Sequence, residues 1–272
     1  MAVVDASHQA KGHDWRAAGA AWSRRPLDWA FLYEHYGFDV MVAIFDGLEM
    51  QPGMQVLDIA CGSGLALRHA RTRGVEAAGI DAAAALVEIA RERSPGADIR
   101  CGTMFELPWD AGVFDAAYSI NGIWGGCEAA LVEAARVLKP GGLFGLSFWG
   151  DGRPLDLREV FKAMARTAPP RQFHEMKRVN NIAKPGIAES MLVEAGFEPL
   201  SRGTRQALLE WPDAQTAWRA MASPGPVVPS LDYAGESVVQ AALVEAIEPF
   251  RTPGGGYRLL SDHNFLIARK RG

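Results

Sequence analysis

The chain has 272 residues, 49% hydrophobic and 22% charged, with a mean hydropathy of -0.03; this composition can fill a core and is not that of a disordered chain. Its 28 basic and 32 acidic residues give a net charge of -4, which leaves no basic surplus for nucleic acid. It has no apolar run near the ~20 residues of a membrane span, no secretory signal, and three cysteines without metal-ligand spacing. We expect a soluble cytoplasmic protein with no nucleic-acid partner, no membrane span and no bound metal.

The first predicted elements are two helices, at residues 26–36 and 38–48, separated by Gly37. Pro26 would then stand in the first turn of the first helix, where its missing N–H costs nothing. Further along, short β-type runs alternate with stretches of helical periodicity. The predicted strands cover residues 54–59, 75–80, 99–101, 114–119 and 143–149, and the predicted helices residues 64–73, 83–93 and 128–138, the last stopped by Pro140-Gly141-Gly142. This alternation predicts an α/β fold with a doubly wound, mostly parallel sheet.

The remainder of the chain predicts further elements that decorate this core. Helices are expected at residues 155–167, 187–195, 214–221 and 236–247, and strands at residues 197–211 and 257–269.

The strongest functional signal is the run VLDIACGSG, residues 56–64, at the end of the first strand. Small residues there let the backbone approach a ligand at the carboxyl edge of the sheet. A dinucleotide fingerprint would need glycine at position 67, which is leucine, and Asp58 would repel a pyrophosphate. The run therefore favours a ligand with positive charge near Asp58, although a tight turn without a ligand is the alternative.

A second acidic residue, Asp81, ends the second strand. A carboxylate at this point can accept hydrogen bonds from two ribose hydroxyls. Alone, it would as readily be the N-cap of the following helix. The glycine loop nearby favours the ribose interpretation.

With these residues the chain resembles a class I S-adenosylmethionine-dependent methyltransferase, closest to the ubiquinone/menaquinone-biosynthesis-like (methyltransferase type 11) small-molecule group. The resemblance rests on VLDIACGSG, GIDAAAALVEIARER, ELPWDAGVFDAAYS and EAARVLKPGGLF, in that order. It implies a Rossmann-like fold with an N-terminal helical lid and helical insertions. The chain would divide into a lid at residues 1–48, a cofactor-binding core at 49–150, and insertion helices with sheet-completing strands at 151–272.

The resemblance also implies which residues bind S-adenosylmethionine. The methionine moiety would lie on Asp58 and on the backbone of Ala60, Gly62 and Gly64, and the ribose on Asp81 beside Ala82. Thr103, Met104 and Phe105 would border the adenine, and Asn121 would form the floor of the site. Two residues depart from the family pattern, because Ala60 replaces a usual glycine and Thr103 a usual acidic residue.

The acceptor site would lie in the flanking regions. Residues 15–45 hold eight of the 25 aromatic residues, a density that suggests a lid over a flat or greasy molecule. Simple docking of the helices on the core is the alternative. The candidate pocket residues are Trp22, Trp29, Tyr33 and Trp124. No catalytic residue is assigned. His35 and His174 are the candidates for a base, and for each the alternative is an ordinary polar residue without a catalytic role.

Together these features predict methyl transfer from S-adenosylmethionine to O, N or C of a small hydrophobic, aromatic or heterocyclic metabolite. One alternative is a relative that binds the same cofactor for another reaction or for sensing. A nicotinamide-dependent oxidoreductase is a third hypothesis, against which Leu67 argues. The acceptor, the atom methylated and the oligomeric state stay open.

Overall fold

A computed structural model describes residues 14–150, 152, 154–170 and 180–272. A seven-stranded sheet with the order β3-β2-β1-β4-β5-β7-β6 forms its centre. The strands are β1 (Gln55–Ile59), β2 (Glu76–Asp81), β3 (Asp98–Cys101), β4 (Phe114–Ile120), β5 (Leu138–Trp149), β6 (Phe197–Trp211) and β7 (Tyr257–Lys270). The first five run parallel, whereas β7 is antiparallel to both β5 and β6. The prediction of a doubly wound, mostly parallel sheet is confirmed.

Helices cover both faces of this sheet, which explains why its central strands are apolar throughout. In β1 every residue after Gln55 is buried, and in β2 only the two ends are not. The ten main helices are α1 (Trp15–Trp22), α2 (Phe38–Gly47), α3 (Leu65–Arg71), α4 (Ala84–Arg93), α5 (Glu128–Val137), α6 (Leu157–Thr167), α7 (Ile187–Glu194), α8 (Ala214–Met221), α9 (Val228–Ala234) and α10 (Glu236–Ile247) among the described residues. None of the helices in those ranges is long and apolar enough to cross a membrane.

Between α1 and α2 the chain stays helical through residues 26–37, here called the N-terminal segment. It comprises a short α-helix at Pro26–Asp28, a π-helix at Trp29–Tyr33 and a 3-10 helix at Glu34–Gly37. The predicted break at Gly37 is wrong, because this residue has right-handed helical angles (φ -79°, ψ -1°) and leads directly into α2. Gly37 is buried, and a Cβ there would lie 3.3 Å from Ile120 Cγ2. The glycine therefore serves close packing against Ile120.

Most predicted elements are confirmed, three of them with the same bounds: β6, α8 and α10. Strand β5 begins well before its predicted start at residue 143. β5 starts at Leu138, which pairs with Phe114 across a register shift, so the Pro-Gly-Gly sequence lies inside the strand instead of before it. Helices α1 and α9 were not predicted from the sequence.

Candidate active site

A cavity of about 1350 Å³ lies at the carboxyl ends of β1 to β4, where the strand order reverses between β1 and β4. Open α/β sheets bind ligands at such a switch point. Its wall also includes residues of α1, the N-terminal segment and α7. The predicted residues on this wall are Trp22, Trp29, Ala60, Gly62, Asp81, Ala82, Thr103, Met104, Phe105, Asn121 and Trp124.

The loop after β1, residues 60–64, is here called the glycine loop, and two of its residues on the cavity wall have left-handed backbone angles. Ala60 and Gly62 both have positive φ angles, of 61° and 54°. Ala60 thus occupies a conformation that glycine adopts more easily, and its methyl group leaves no room for a side chain on Gly122, whose added Cβ would lie 2.5 Å from Ala60 Cβ. Gly122 therefore makes room for alanine at position 60, where the family usually has glycine.

Gly64 has a different role from the one predicted, because it is not on the cavity wall. Its φ angle is 78°, and a Cβ there would lie 2.8 Å from Ala90 Cβ. The glycine therefore allows α3 to begin directly against α4. Its contribution is to the packing of the two helices behind the loop.

Asp81 joins the glycine loop to the start of α4. Its Oδ2 accepts a hydrogen bond from the Gly62 N–H and its Oδ1 from the Ala83 N–H, both at 2.8 Å. Ala83, not Asp81, is the N-cap of α4, so the N-cap interpretation is wrong. Burial raises the pKa of Asp81, against the lowering effect of these backbone donors. A carboxylate can accept about four hydrogen bonds, so capacity remains toward the cavity.

Asp58 lies beneath this loop instead of on the cavity wall. It is 2% exposed, and its Oδ2 has no hydrogen-bond partner among the described residues. Burial raises the pKa of Asp58 well above its usual range, with a smaller opposing effect from the Tyr118 hydroxyl and a reinforcing one from the Asp81 charge. A direct contact between Asp58 and a ligand in the cavity is not part of this geometry.

The loop after β3 and helix α1 enclose one end of the cavity. Thr103 Oγ1 accepts a hydrogen bond from the Phe105 N–H at 3.2 Å, which fixes the turn that was predicted to border an adenine. Opposite this turn, α1 passes directly over Ala82: a Cβ on Gly19 would lie 2.1 Å from the Ala82 carbonyl oxygen. The helix backbone can approach this closely only because residue 19 is glycine.

Asn121 follows β4 and holds several groups together with a φ angle of 54°. Its Nδ2 donates to the Tyr36 hydroxyl at 2.9 Å, and its carbonyl oxygen accepts from Trp124 Nε1 at 2.7 Å. Its Oδ1 is buried and has no partner among the described residues. Because this oxygen is closed off from solvent, the contribution of Asn121 to the wall is to hold Tyr36 and Trp124 in place.

Four aromatic residues spaced seven apart contribute to the wall, and the sequence analysis missed two of them. Trp15, Trp22, Trp29 and Tyr36 all face the cavity, and we call them the aromatic row. Trp22 meets Trp29 edge-on at 4.7 Å between ring centroids, and Trp29 meets Tyr36 at 6.3 Å. A spacing of seven is about two helical turns, so this periodicity was the signal that would have found Trp15 and Tyr36.

Two predicted acceptor-site residues, Tyr33 and His35, are not part of this wall. Tyr33 is buried, stacks on Trp29 at 5.2 Å and lies 6.5 Å from the Trp211 ring, so it packs in the hydrophobic core. His35 is exposed and does not line the cavity. His174 lies outside the described residues.

The charges on the wall favour a cationic ligand. Of the lining residues that the structure describes, Asp14, Asp81 and Glu128 are acidic and only Lys184 is basic. Aromatic faces attract a positive centre that lies within about 6 Å. No group of three or more His, Cys, Asp or Glu within the described ranges is arranged to hold a metal ion.

Comparisons with known proteins agree with this geometry. A family model described as a methyltransferase domain matches residues 56–142. Malonyl-[acyl-carrier protein] O-methyltransferase of Salmonella typhimurium is 29% identical over 163 residues, which is 58% of this chain and 63% of that protein. Demethylmenaquinone methyltransferase of Paenarthrobacter aurescens is 31% identical over 101 residues, 36% of this chain and 40% of that protein. The chain thus spans less than two thirds of the length of these relatives.

A solved structure extends the likeness beyond the core. Geranyl diphosphate C-methyltransferase from Streptomyces coelicolor A3(2), in complex with Mg²⁺, geranyl-S-thiolodiphosphate and S-adenosyl-L-homocysteine, superposes with a TM-score of 0.52 at 18% identity. The match covers 86% of this chain and 76% of that one. The fold is that of the class I S-adenosylmethionine-dependent methyltransferases. The match to the methyltransferase-domain model covers β1 to the first part of β5 in this fold.

Proposed function

We propose that this protein transfers a methyl group from S-adenosylmethionine to a small hydrophobic acceptor. The observation that carries the proposal is one cavity in which the glycine loop, Asp81 and the aromatic row meet at the switch point of a methyltransferase fold. The related proteins, both methyltransferases by name, support the same activity.

The residues on the wall fit the cofactor. Asp81 would accept hydrogen bonds from the ribose hydroxyls, and the turn at Thr103 would border the adenine. The backbone at Ala60 and Gly62 would lie along the methionine moiety, and Asn121 would form the floor of the site. Asp58 would support the loop from beneath without touching the cofactor, since its side chain is buried. When bound, the cofactor supplies an electrophilic methyl group on a positively charged sulfur.

The chain's own contribution is to align two ligands and to exclude water. In-line displacement at a methyl group depends mainly on positioning, which can lower the barrier substantially. The aromatic row covers the cavity on the side of the N-terminal segment, and its faces favour positive charge over water. Burial raises the pKa of the Tyr36 hydroxyl, so it stays neutral and acts as a hydrogen-bonding group and not as a base. A base is required only for an acceptor that must lose a proton.

The size and surface of the cavity indicate the acceptor class. About 1350 Å³ exceeds the roughly 300–1,000 Å³ of sites for single drug-sized ligands, so a cofactor and an acceptor can be held together. Trp22, Trp29 and Trp124 would contact a flat, hydrophobic molecule. Methylation of oxygen, nitrogen or carbon is compatible with this surface.

Two experiments test the proposal in sequence. Calorimetry should detect S-adenosylhomocysteine binding, and a thermal-shift comparison should show stabilisation by S-adenosylhomocysteine and none by NAD. Incubation of the protein and S-adenosylmethionine with metabolite extracts should then produce a species heavier by one methyl group. Stabilisation by NAD alone would favour an oxidoreductase. Cofactor binding without methylation of any extract would favour the non-transferring alternative.

A further inference from the structure

Three side chains outside the cavity wall connect the N-terminal segment to the glycine loop. The Glu34 carboxylate accepts hydrogen bonds from the Ser63 hydroxyl and from the Arg93 guanidinium. Arg93 also donates to the Ser63 hydroxyl at 2.7 Å and to the Ser63 carbonyl oxygen at 3.2 Å. Each member therefore contacts the other two, and we call the three residues the loop clamp.

The loop clamp joins three separate parts of the fold. Glu34 belongs to the N-terminal segment, Ser63 to the loop after β1, and Arg93 to the last turn of α4. Arg93 donates in addition to the Ala30 carbonyl oxygen at 2.9 Å, which gives it a second attachment to the segment. Movement of the segment away from the core would break the contacts of Glu34 with Ser63 and Arg93 and the bond from Arg93 to Ala30, and would leave only those between Arg93 and Ser63.

The loop clamp is buried, so water cannot replace its hydrogen bonds if they break. The side chains of Glu34 and Arg93 are 9% and 15% exposed, and Ser63 is fully buried. A buried charge that loses its partner is strongly unfavourable, which makes a half-formed clamp an unstable arrangement. Segment and loop are thus held in one relative position or separated.

None of the three residues lines the cavity, yet their neighbours do. Ser63 is next to Gly62, whose N–H is bound by Asp81. Glu34 lies between Trp29 and Tyr36 of the aromatic row. The two sides also lie close together, since a Cβ built on Gly62 would be 3.5 Å from Trp29 Nε1. A change in the clamp therefore reaches the cavity through both of its walls.

We propose that Glu34, Ser63 and Arg93 are positioning residues that couple the docking of the N-terminal segment to the conformation of the glycine loop. This inference rests on the proposed function for the identity of the ligand. Coupling is reciprocal: if docking of the segment favours the ligand-binding loop, cofactor binding favours docking by the same factor. The aromatic row then closes over the site in response to the cofactor, before an acceptor is needed.

The chain provides a matched control in Asp28, which belongs to the same segment. Its side chain is 13% exposed and pairs with Arg219 of α8 at 2.5 Å, away from the loop. Asp28→Asn removes one negative charge and the pairs with Arg219 and, at 3.9 Å, with Arg25. Glu34→Gln removes one negative charge and the pair with Arg93. Only the second change affects Ser63. If the Glu34–Arg93 pair merely stabilised the fold, Glu34→Gln and Asp28→Asn would have the same effect on ligand affinity.

The experiment compares the full chain with Ser63→Ala, Glu34→Gln, their double variant and Asp28→Asn. Calorimetry measures S-adenosylhomocysteine affinity, and hydrogen exchange measures protection of residues 29–37 with and without it. Ser63→Ala is the cleaner probe, because it leaves the Glu34–Arg93 pair in place and creates no unpaired charge. A folded state is checked for each variant by circular dichroism.

We expect Ser63→Ala and Glu34→Gln each to weaken binding about tenfold, the double variant to fall short of the product of the two effects, and Asp28→Asn to stay within about twofold. S-adenosylhomocysteine should protect residues 29–37 in the wild type and protect them less in both clamp variants. Wild-type affinity in folded Ser63→Ala protein, or equal losses in Asp28→Asn, would overturn the coupling. Absence of binding to the wild type would instead overturn the proposed cofactor and, with it, the coupling.

Discussion

Replacement of Asp81 by alanine is the most direct test of the candidate site. The proposed ribose contact predicts a loss of roughly 1.5–3 kcal/mol in binding free energy, since hydrogen bonds to a charged acceptor are removed. At about 1.4 kcal/mol per factor of ten, this corresponds to an affinity about ten to 150 times lower. Isothermal titration calorimetry with S-adenosylhomocysteine measures the change.

The same substitution also affects stability, because Asp81 holds two backbone N–H groups of the protein itself. Both hydrogen bonds, to Gly62 and Ala83, would be lost, at a cost of about 1 kcal/mol each. The substitution also removes a buried carboxylate, whose pKa is raised by burial, and the desolvation cost saved offsets part of this loss. We therefore expect a modest fall in the free energy of urea unfolding of about 1–2 kcal/mol, small enough for the variant to stay folded.

A control separates the two effects. Asp213 caps α8 by accepting from the Thr216 N–H at 2.7 Å, and it does not line the cavity. Asp213→Ala should lower stability without changing affinity for S-adenosylhomocysteine. The reasoning is refuted if folded Asp81→Ala protein binds with wild-type affinity, or if Asp213→Ala weakens binding as much.

Four other outcomes are expected. Burial lowers the pKa of His263 to about 3, so between pH 6.5 and pH 3 this histidine is protonated in the unfolded state and neutral in the folded state. The free energy of unfolding of the wild type should therefore fall with decreasing pH, by up to about 1.4 kcal/mol per pH unit from this residue. Urea unfolding of His263→Phe should lack that contribution. Gly19→Ala should force α1 away from Ala82 and weaken S-adenosylhomocysteine binding with little change in melting temperature, and unchanged affinity would show that α1 does not cover the ligand. Binding measured with and without EDTA should agree, whereas a loss restored by Mg²⁺ would indicate a metal. Hydrogen exchange across residues 22–36 should be slowest with cofactor and acceptor together, and full protection of the free protein would mean that the predicted lid is only packing.

The order of strands and helices could be predicted from the sequence because each element carries its own local signal. Strands alternate with helices of regular periodicity, and a Pro-Gly or glycine boundary separates most of them. The edge of the sheet that binds a ligand followed from the same pattern, since loops after parallel strands meet at one edge. Asp81, the last residue of β2, was predicted in this way, whereas Asn121, directly after β4, was predicted from the family resemblance.

Depth within the fold could not be predicted, because it depends on neighbours far along the chain. Asp58 pairs with Gly79 on one side and Tyr118 on the other, and it is these strands that bury it. Position 64 must be glycine because a side chain there would collide with Ala90, which belongs to another helix. Tyr33 and Tyr36 have similar sequence surroundings, yet only Tyr36 reaches the cavity. A motif indicates which segment is near a ligand but not which side chains face it.

The position of β7 has a consequence for how the chain is made. β5 is complete at Trp149, but its second neighbour begins at Tyr257, and Leu143 pairs with Arg269. At the usual ribosomal rate of about 5–20 residues per second, this edge of β5 waits roughly 5–20 s for its partner to be synthesised. During that interval an apolar strand presents unpaired backbone groups to its surroundings, a setting that favours misassociation. Nascent chains of this protein are therefore expected to depend on chaperones, or on slow release, until the strand is inserted.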